Sequence, residues 1–407
     1  MTKSQVNKLG KLIRRELRES TNPSESLLDN LQIYRTSFKN DLSEVFEKIS
    51  DVAKSVRKDS IISFRIKRIE SILSKIRRQP TMALGNMGDI AGCRILVYQA
   101  SSLQKVIELL HLSFNVKDVN NYLKEVKEDG YRGYHLYIVS PINKDKLIEI
   151  QVRTVESHKW SSMVEIIDMI YDTKIKEGQK HPDFQKFLLL LSDKSNLDIS
   201  QKQEMIGIDN KHSLHSKLNE VFIKNHVKIR KDWLTISPNQ NPYFIIEVDS
   251  NKTSNIYSYS NYETAEKVYF EKFKENNESY FVLTHIEKPK FKRLCLAYAS
   301  YVLIKHDYMN DWSKFTSDLI EHFIEREDYD NIKFYRNYIQ SNITLQLDLL
   351  SNDFKEMEDY KNQNTLDYSE YEEWFDELKT RLSEIKKIVT ERQNDKKRNF
   401  WSKIFGE

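Results

Sequence analysis

Two carboxylates, Asp89 and Glu149, stand in strand-like segments that hold the chain's densest basic and aromatic chemistry. Asp89 opens "DIAGCRI". Glu149 lies in "KLIEIQVRT", where Ile148, Ile150 and Val152 alternate with Glu149, Gln151 and Arg153, so a carboxylate, an amide and a guanidinium face one way. Paired carboxylates at strand ends suit Mg²⁺, a hard ion that takes about one or two of them and completes its shell with water and phosphate oxygens. Arg65, Lys67, Ser71 and Lys75 bring cations and a hydroxyl to one side of an expected helix, where they would clamp phosphates. The turn "KEDGYRGYH" adds Lys127, Arg132 and His135 around Tyr131, whose ring offers a flat face to a base, while arginines can stack on another. Taken singly, each piece is what a solvated helix face, a turn tyrosine or a half-exposed strand shows. Their occurrence together and in order carries the functional reading.

Several elements must position these groups. Apolar residues at spacings of three and four predict one long or two shorter amphipathic helices from Ser24 to Ser55. A further helix is expected over Ile61 to Arg78, its stripe made by Ile62, Ile66, Ile69, Leu73 and Ile76. From Gly88 to Thr154 the period becomes α/β, with strands at "AGCRILVY", "YHLYIVSP" and "KLIEIQVRT" and a helix at "SSLQKVIELLHLSF". A helical pattern follows to about Asn196, then a polar connection to about Pro242. The division expected is N-terminal helices over 1–55, the chemistry-bearing domain over 56–200, a helical connection over 201–240, a small α+β module over 241–290 and helices over 291–407.

Composition narrows the class. A chain of 407 residues with 39% hydrophobic and 31% charged residues is globular, with roughly two to three domains. Its 64 basic and 61 acidic residues leave a formal charge of +3, so a nucleotide or RNA site must be local rather than a property of the whole surface. Cys93 and Cys295 form no CxxC pair, which argues against a disulfide scaffold or structural zinc and fits a reducing cytoplasm. The first twenty residues hold no apolar signal core, and no apolar run approaches the ~20 residues that span a bilayer.

In order and spacing these residues resemble the synthetase domain of the RelA/SpoT homologues, which make the alarmones ppGpp and pppGpp. Arg65, Lys67, Ser71, Ile72 and Lys75 match that family's Arg-x-Lys-x-x-x-Ser-Ile-x-x-Lys motif, and Asp89 with Arg94 its Asp-[hydrophobic]-x-x-x-Arg strand. Lys127, Gly130, Tyr131, Arg132 and His135 match the Lys-x-x-Gly-Tyr-[Arg/Gln]-x-x-His turn. Glu149, Gln151, Arg153 and Thr154 match the Glu-x-Gln-[hydrophobic]-Arg-Thr strand, and Trp160 with Glu165 follows as in the family. The match covers about Ile61 to Asp172. It implies an α+β fold with a nucleotidyltransferase-like mixed sheet flanked by helices, and Mg²⁺-dependent transfer of pyrophosphate from ATP to the ribose 3′-hydroxyl of GDP or GTP. By the same resemblance Arg65 and Arg94 sandwich adenine, Lys67 and Lys75 hold the ATP phosphates beside Ser71, and Asp89 and Glu149 hold Mg²⁺, with Glu149 placed to take the proton of the attacking hydroxyl. Tyr131 would stack on the acceptor base, Lys127 and His135 hold its phosphates, and Arg132, Gln151, Arg153 and His158 line the acceptor side.

Some positions depart from the alarmone synthetases. Glu128 and Asp129 put carboxylates where Pro-Asn is common, Gly133-Tyr134 replaces Ser-[hydrophobic], His158 stands where small synthetases often place asparagine, and Ile166 replaces a histidine. The added carboxylates weaken a polyphosphate site and keep open a second acceptor, the 3′ end of tRNA used by the toxic branch of the family. An inactive nucleotide-binding domain is a third reading, opposed by the intact Asp89 and Glu149. The C-terminal half is expected to regulate within the chain or to oligomerise. His306-Asp307 suggests no hydrolase, because too little helical sequence precedes Ile61. His212 and His215 lack a third metal ligand, and the tail from Lys396 to Phe405 is either a frayed helix or a surface contact.

Overall fold

Apolar residues at even spacing build a sheet, and those at three and four build the helices that cover one of its faces. A computed structural model describes residues 1–19, 22–127, 129–236, 240–275 and 279–363, together with positions 376, 379, 380 and 383. Glu128 and the Lys396 to Phe405 tail lie outside the described residues. In chain order the helices are α1 (Lys3–Glu19), α2 (Glu25–Thr36), α3 (Lys39–Val56), α4 (Ile69–Arg78), α5 (Ala100–Ser113), α6 (Val155–Ile170), α7 (Pro182–Ser192), α8 (Ile199–His212), α9 (Leu214–Thr235), α10 (Tyr262–Glu275), α11 (Phe291–Ala297), α12 (Ala299–Val302), α13 (Tyr308–Glu325) and α14 (Tyr329–Gln363). The strands are β1 (Ile61–Ile66), β2 (Ala91–Val97), β3 (Val116–Asn121), β4 (Tyr134–Val139), β5 (Leu147–Thr154), β6 (Tyr243–Val248), β7 (Ser254–Tyr259) and β8 (Tyr280–Ile286).

The chain divides into two units. The first comprises residues 1–162, 236–251 and 255–301. It holds an eight-stranded mixed sheet of order β3-β4-β5-β2-β1-β8-β6-β7. The β2–β5 pair is parallel, and β1–β2, β1–β8, β3–β4, β4–β5 and β6–β8 are antiparallel. Phe64 and Ile66 of β1, Cys93 and Ile95 of β2, and Ile150 and Val152 of β5 turn to one face, where they join Ile13, Leu42, Ile49, Ile107 and Tyr269 in the core. The opposite face carries the polar residues of the same strands.

Two expectations change. The helix foreseen from Ile61 begins only at Ile69, and Ile61 to Ile66 is a strand between β2 and β8. Ile62 and Ile66 are four apart, a spacing that a helix and a strand both satisfy, and pairing on both edges decides for the strand. The α+β stretch at 241–290 does not stand apart: Ser63, Phe64 and Arg65 pair with Ile286, His285 and Thr284, so β8 extends the sheet. Strand β3, a polar edge strand, was not foreseen at all.

The second unit comprises residues 163–235, 252–254 and 302 onward. Helix α8 packs on α9 and α13, and α14 packs on α9 and α13. A capping box between Asp198 and Gln201 starts α8, and α9 follows it directly. Here His215 stacks on Trp312 at 3.8 Å and His212 pairs with Asp183 at 2.7 Å. Both histidines have structural partners. Among the described residues no helix is long and apolar enough to cross a membrane, and Cys93 and Cys295 are buried and not joined in a disulfide.

Candidate active site

The polar face of the sheet is assembled by register. Arg65, Gly92 and Glu149 align across β1, β2 and β5, as do Ser63, Arg94 and Gln151 one step along. On β4, Tyr137 lies opposite Glu149 and His135 opposite Gln151. Directly opposed residues of a sheet share a face, so four strands contribute to one surface.

Asp89 lies just before β2, where Lys67 and Lys75 meet it. Lys67 Nζ donates to Oδ2 and Lys75 Nζ to Oδ1, each at 2.9 Å. Lys67 is not on α4 but on the turn before it, held by its own N–H to the Ile90 carbonyl at 2.7 Å and by Arg35 Nε on its carbonyl at 2.9 Å. Burial alone would raise the Asp89 carboxyl, but the charges of Lys67 and Lys75 outweigh it and hold the group below its ordinary range. Burial lowers the Lys67 ammonium, against the pull of Asp89. Just before Asp89, Gly88 permits a close approach, since an added Cβ would lie 2.7 Å from Tyr137 Cδ1.

Glu149 is buried inside a closed ring of contacts. Its Oε1 accepts from Tyr137 Oη at 3.1 Å and meets His135 Nδ1 at 2.9 Å, while its Oε2 accepts from Gln151 Nε2 at 2.7 Å. Gln151 Oε1 in turn accepts from Arg153 Nη2 at 2.8 Å, and Arg153 lies 5.0 Å from the Tyr131 ring centre. Tyr131 Oη closes the ring through His135 Nε2. Burial would raise the Glu149 carboxyl, yet the hydrogen bonds from His135 and Gln151 and the charge of Lys67 hold it far below the usual range. It is ionised wherever the protein is folded at neutral pH. Glu149 is close enough to Asp89 for its charge to oppose the ionisation of that carboxyl.

The aromatic turn builds the next wall. Gly130 has φ 89, a left-handed conformation that favours glycine, and Asp129 Oδ1 accepts from the Tyr131 N–H at 2.9 Å. Asp129 is therefore part of the turn's own scaffold. Tyr131 is 8% exposed, packed edge-on against Tyr122 and beside Trp160, with Lys127 Nζ 5.1 Å from its ring centre. Burial, with Glu149 nearby, raises its phenol despite the opposing charge of Arg153.

The remaining expected residues fall differently. Ser71 is half-buried on α4, and Arg132 is exposed. Arg94 Nη1 donates to the Ala297 carbonyl at 3.0 Å. His158 is 4% exposed, with Nε2 at 3.0 Å from the Leu296 carbonyl and 3.2 Å from that of Ala297. Tyr137 and Tyr122 were missed, although Tyr137 is two residues from His135, the spacing that places both on one strand face. The donor set suits a divalent cation: two neighbouring ionised carboxylates, each already ringed by cations or donors that can turn to phosphate. Among the described residues no cluster of three or more His, Cys, Asp or Glu forms an all-protein metal cage.

Residues 64–176 match the family model described as "Region found in RelA / SpoT proteins". The chain is 36% identical over 128 residues to the GTP pyrophosphokinase YjbM of Bacillus subtilis (strain 168), a stretch that covers 29% of this chain and 61% of that protein. It is 32% identical over 111 residues to the GTP pyrophosphokinase YwaC of the same organism, covering 24% of this chain and 53% of that one. The chain thus spans just over half of each relative's length. The crystal structure of small alarmone synthetase 1 from Bacillus subtilis bound to its product pppGpp is similar at a TM-score of 0.37 and 27% identity, over 45% of this chain and 98% of that one.

Proposed function

From the RelA/SpoT region at residues 64–176, we propose that the chain makes (p)ppGpp by Mg²⁺-dependent transfer of pyrophosphate from ATP to the 3′-hydroxyl of GDP or GTP. The observation that carries this is Asp89, paired with Lys67 and Lys75, lying close enough to Glu149 of β5 for the two carboxylate charges to interact. The acceptor oxygen attacks the β-phosphorus of ATP, the bond from that phosphorus to the α–β bridging oxygen breaks, and AMP leaves. Asp89 and Glu149 would hold Mg²⁺, which when bound neutralises charge on the transferred group. Lys67 and Lys75 turn from Asp89 to the donor phosphates, with Ser71 beside them and Arg65 and Arg94 at the adenine.

Glu149 accepts the hydroxyl proton. Movement of Lys67 toward phosphate relieves one of the charges that suppress its basicity. On the acceptor side Tyr131 stacks on guanine, Lys127, Arg132 and His135 reach the phosphates, and Gln151 and Arg153 hold the ring of contacts that orients Glu149. Because Tyr131 is covered, Lys127 must swing off its face for a base to enter. Phosphoryl transfer depends mainly on positioning and charge neutralisation, which this set supplies.

Offering the full chain ATP and Mg²⁺ with GDP, GTP or deacylated tRNA, and separating the products, tests the reading. Equal yields of AMP and a 3′-pyrophosphorylated guanosine nucleotide support it. AMP formed only with tRNA reassigns the acceptor to the tRNA 3′ end.

A further inference from the structure

We propose that the end of α11 with the residue linking it to α12, Leu296 to Tyr298, is a positioning element of the donor-base site, in which Tyr298 sets the pose of Arg94. This rests on the reading of Arg65 and Arg94 as the adenine clamp. Three side chains converge there. Arg94 donates to the Ala297 carbonyl at 3.0 Å and its guanidinium carbon lies 5.8 Å from the Tyr298 ring centre. His158 holds the Leu296 and Ala297 carbonyls from α6. Thr284 Oγ1 donates to Tyr298 Oη at 2.6 Å, and Thr284 is the residue of β8 that pairs directly with Arg65.

Tyr298 is thus tied to the strand neighbour of one clamp arginine while its ring faces the other. It is 3% exposed, so its ring is held in place, whereas Arg94 remains half-buried. An arginine left to itself samples many rotamers, and a carbonyl and a ring that select one of them lower the ordering cost of stacking on a base. The β8 extension therefore does more than widen the sheet. It carries a backbone carbonyl and an aromatic face to the donor side of the site, and His158 serves that same segment.

The test measures binding of AMPCPP with Mg²⁺, and of GDP separately, to the full chain by calorimetry, with the KM for ATP and kcat alongside. Tyr298→Leu should weaken AMPCPP by about tenfold, the scale of one charge-assisted contact, and raise the KM for ATP in step. GDP affinity and kcat should stay within about twofold, and Tyr298→Phe, which keeps the ring, should retain most of the affinity. Thr284→Val, which frees the Tyr298 hydroxyl without changing shape, gives a second reading should Tyr298→Leu fail to fold, with a loss of about threefold expected for AMPCPP alone. Unchanged AMPCPP binding in the variants, or equal loss for AMPCPP and GDP, overturns the inference. Tighter AMPCPP binding in Tyr298→Leu also overturns it, since the ring would then occupy the seat of the base. A wild-type chain that binds no AMPCPP overturns the donor reading itself, and is distinguishable because the variants then have nothing to lose.

Discussion

Glu149 accepts hydrogen bonds from Tyr137 and Gln151 and pairs with His135, which makes it the most heavily supported carboxylate of the site. Glu149→Gln removes its charge and its capacity to take a proton, and should lower kcat by about 10²- to 10⁴-fold. The same variant should alter acid stability. The folded-state carboxyl is depressed, so its ionisation stabilises the fold above the unfolded value of about 4.3 and that contribution fades as pH falls toward the folded value. Denaturant titrations from about pH 6 downward should therefore show a shallower loss in Glu149→Gln than in the wild type. A parallel pH dependence in both would contradict the burial and pairing described. At this scale the sequence was informative, because alternation in "IEIQVRT" places Glu149, Gln151 and Arg153 on one face whatever their partners. It could not show that His135 turns to Glu149 and Tyr131, or that His158 is buried against a segment some 140 residues later, because such contacts depend on tertiary pairing.

The element that places Lys67 is the end of β1, and its support comes from far along the chain. Arg35 of α2 is fully buried, donates to the Lys67 carbonyl and pairs with Glu266 of α10 at 3.3 Å. Glu266→Ala would leave a buried guanidinium without its carboxylate and should cost about 3–5 kcal/mol in chemical denaturation, since an uncompensated buried charge is expensive. A cost below about 1 kcal/mol would place the pair in a solvated setting instead. The elements themselves were mostly legible: α2, α3, α5, β2, β4 and β5 follow the periods in their residues. β1 was not, because Ile62 and Ile66 fit both periods, and the union of β8 with β1 was not, because no local pattern tells one exposed strand edge which distant strand will cover it.

At the scale of the whole molecule, the helical second unit carries a titrating group of its own. Asp209 is fully buried, accepts from Tyr308 Oη at 2.6 Å and from the His215 N–H at 3.1 Å, and is pushed up to about 6 by burial against those hydrogen bonds. Its folded value lies above the unfolded value of about 3.9, so the neutral acid is favoured in the fold and this unit loses about 3 kcal/mol as pH rises from about 4 to about 6, with little further change above. Asp209→Asn, followed by the fluorescence of Trp312 in the full chain, should flatten that dependence. An unchanged slope would assign it to another group. The central claim rests on Asp89, Glu149 and the lysines between which phosphate would pass. The most direct test is to supply the full chain with ATP labelled on its terminal phosphate, Mg²⁺ and GDP or GTP, and follow the label. Transfer to the guanosine nucleotide, with one AMP per product and loss in Glu149→Gln, is the result expected; label that never leaves ATP for either nucleotide would contradict the account.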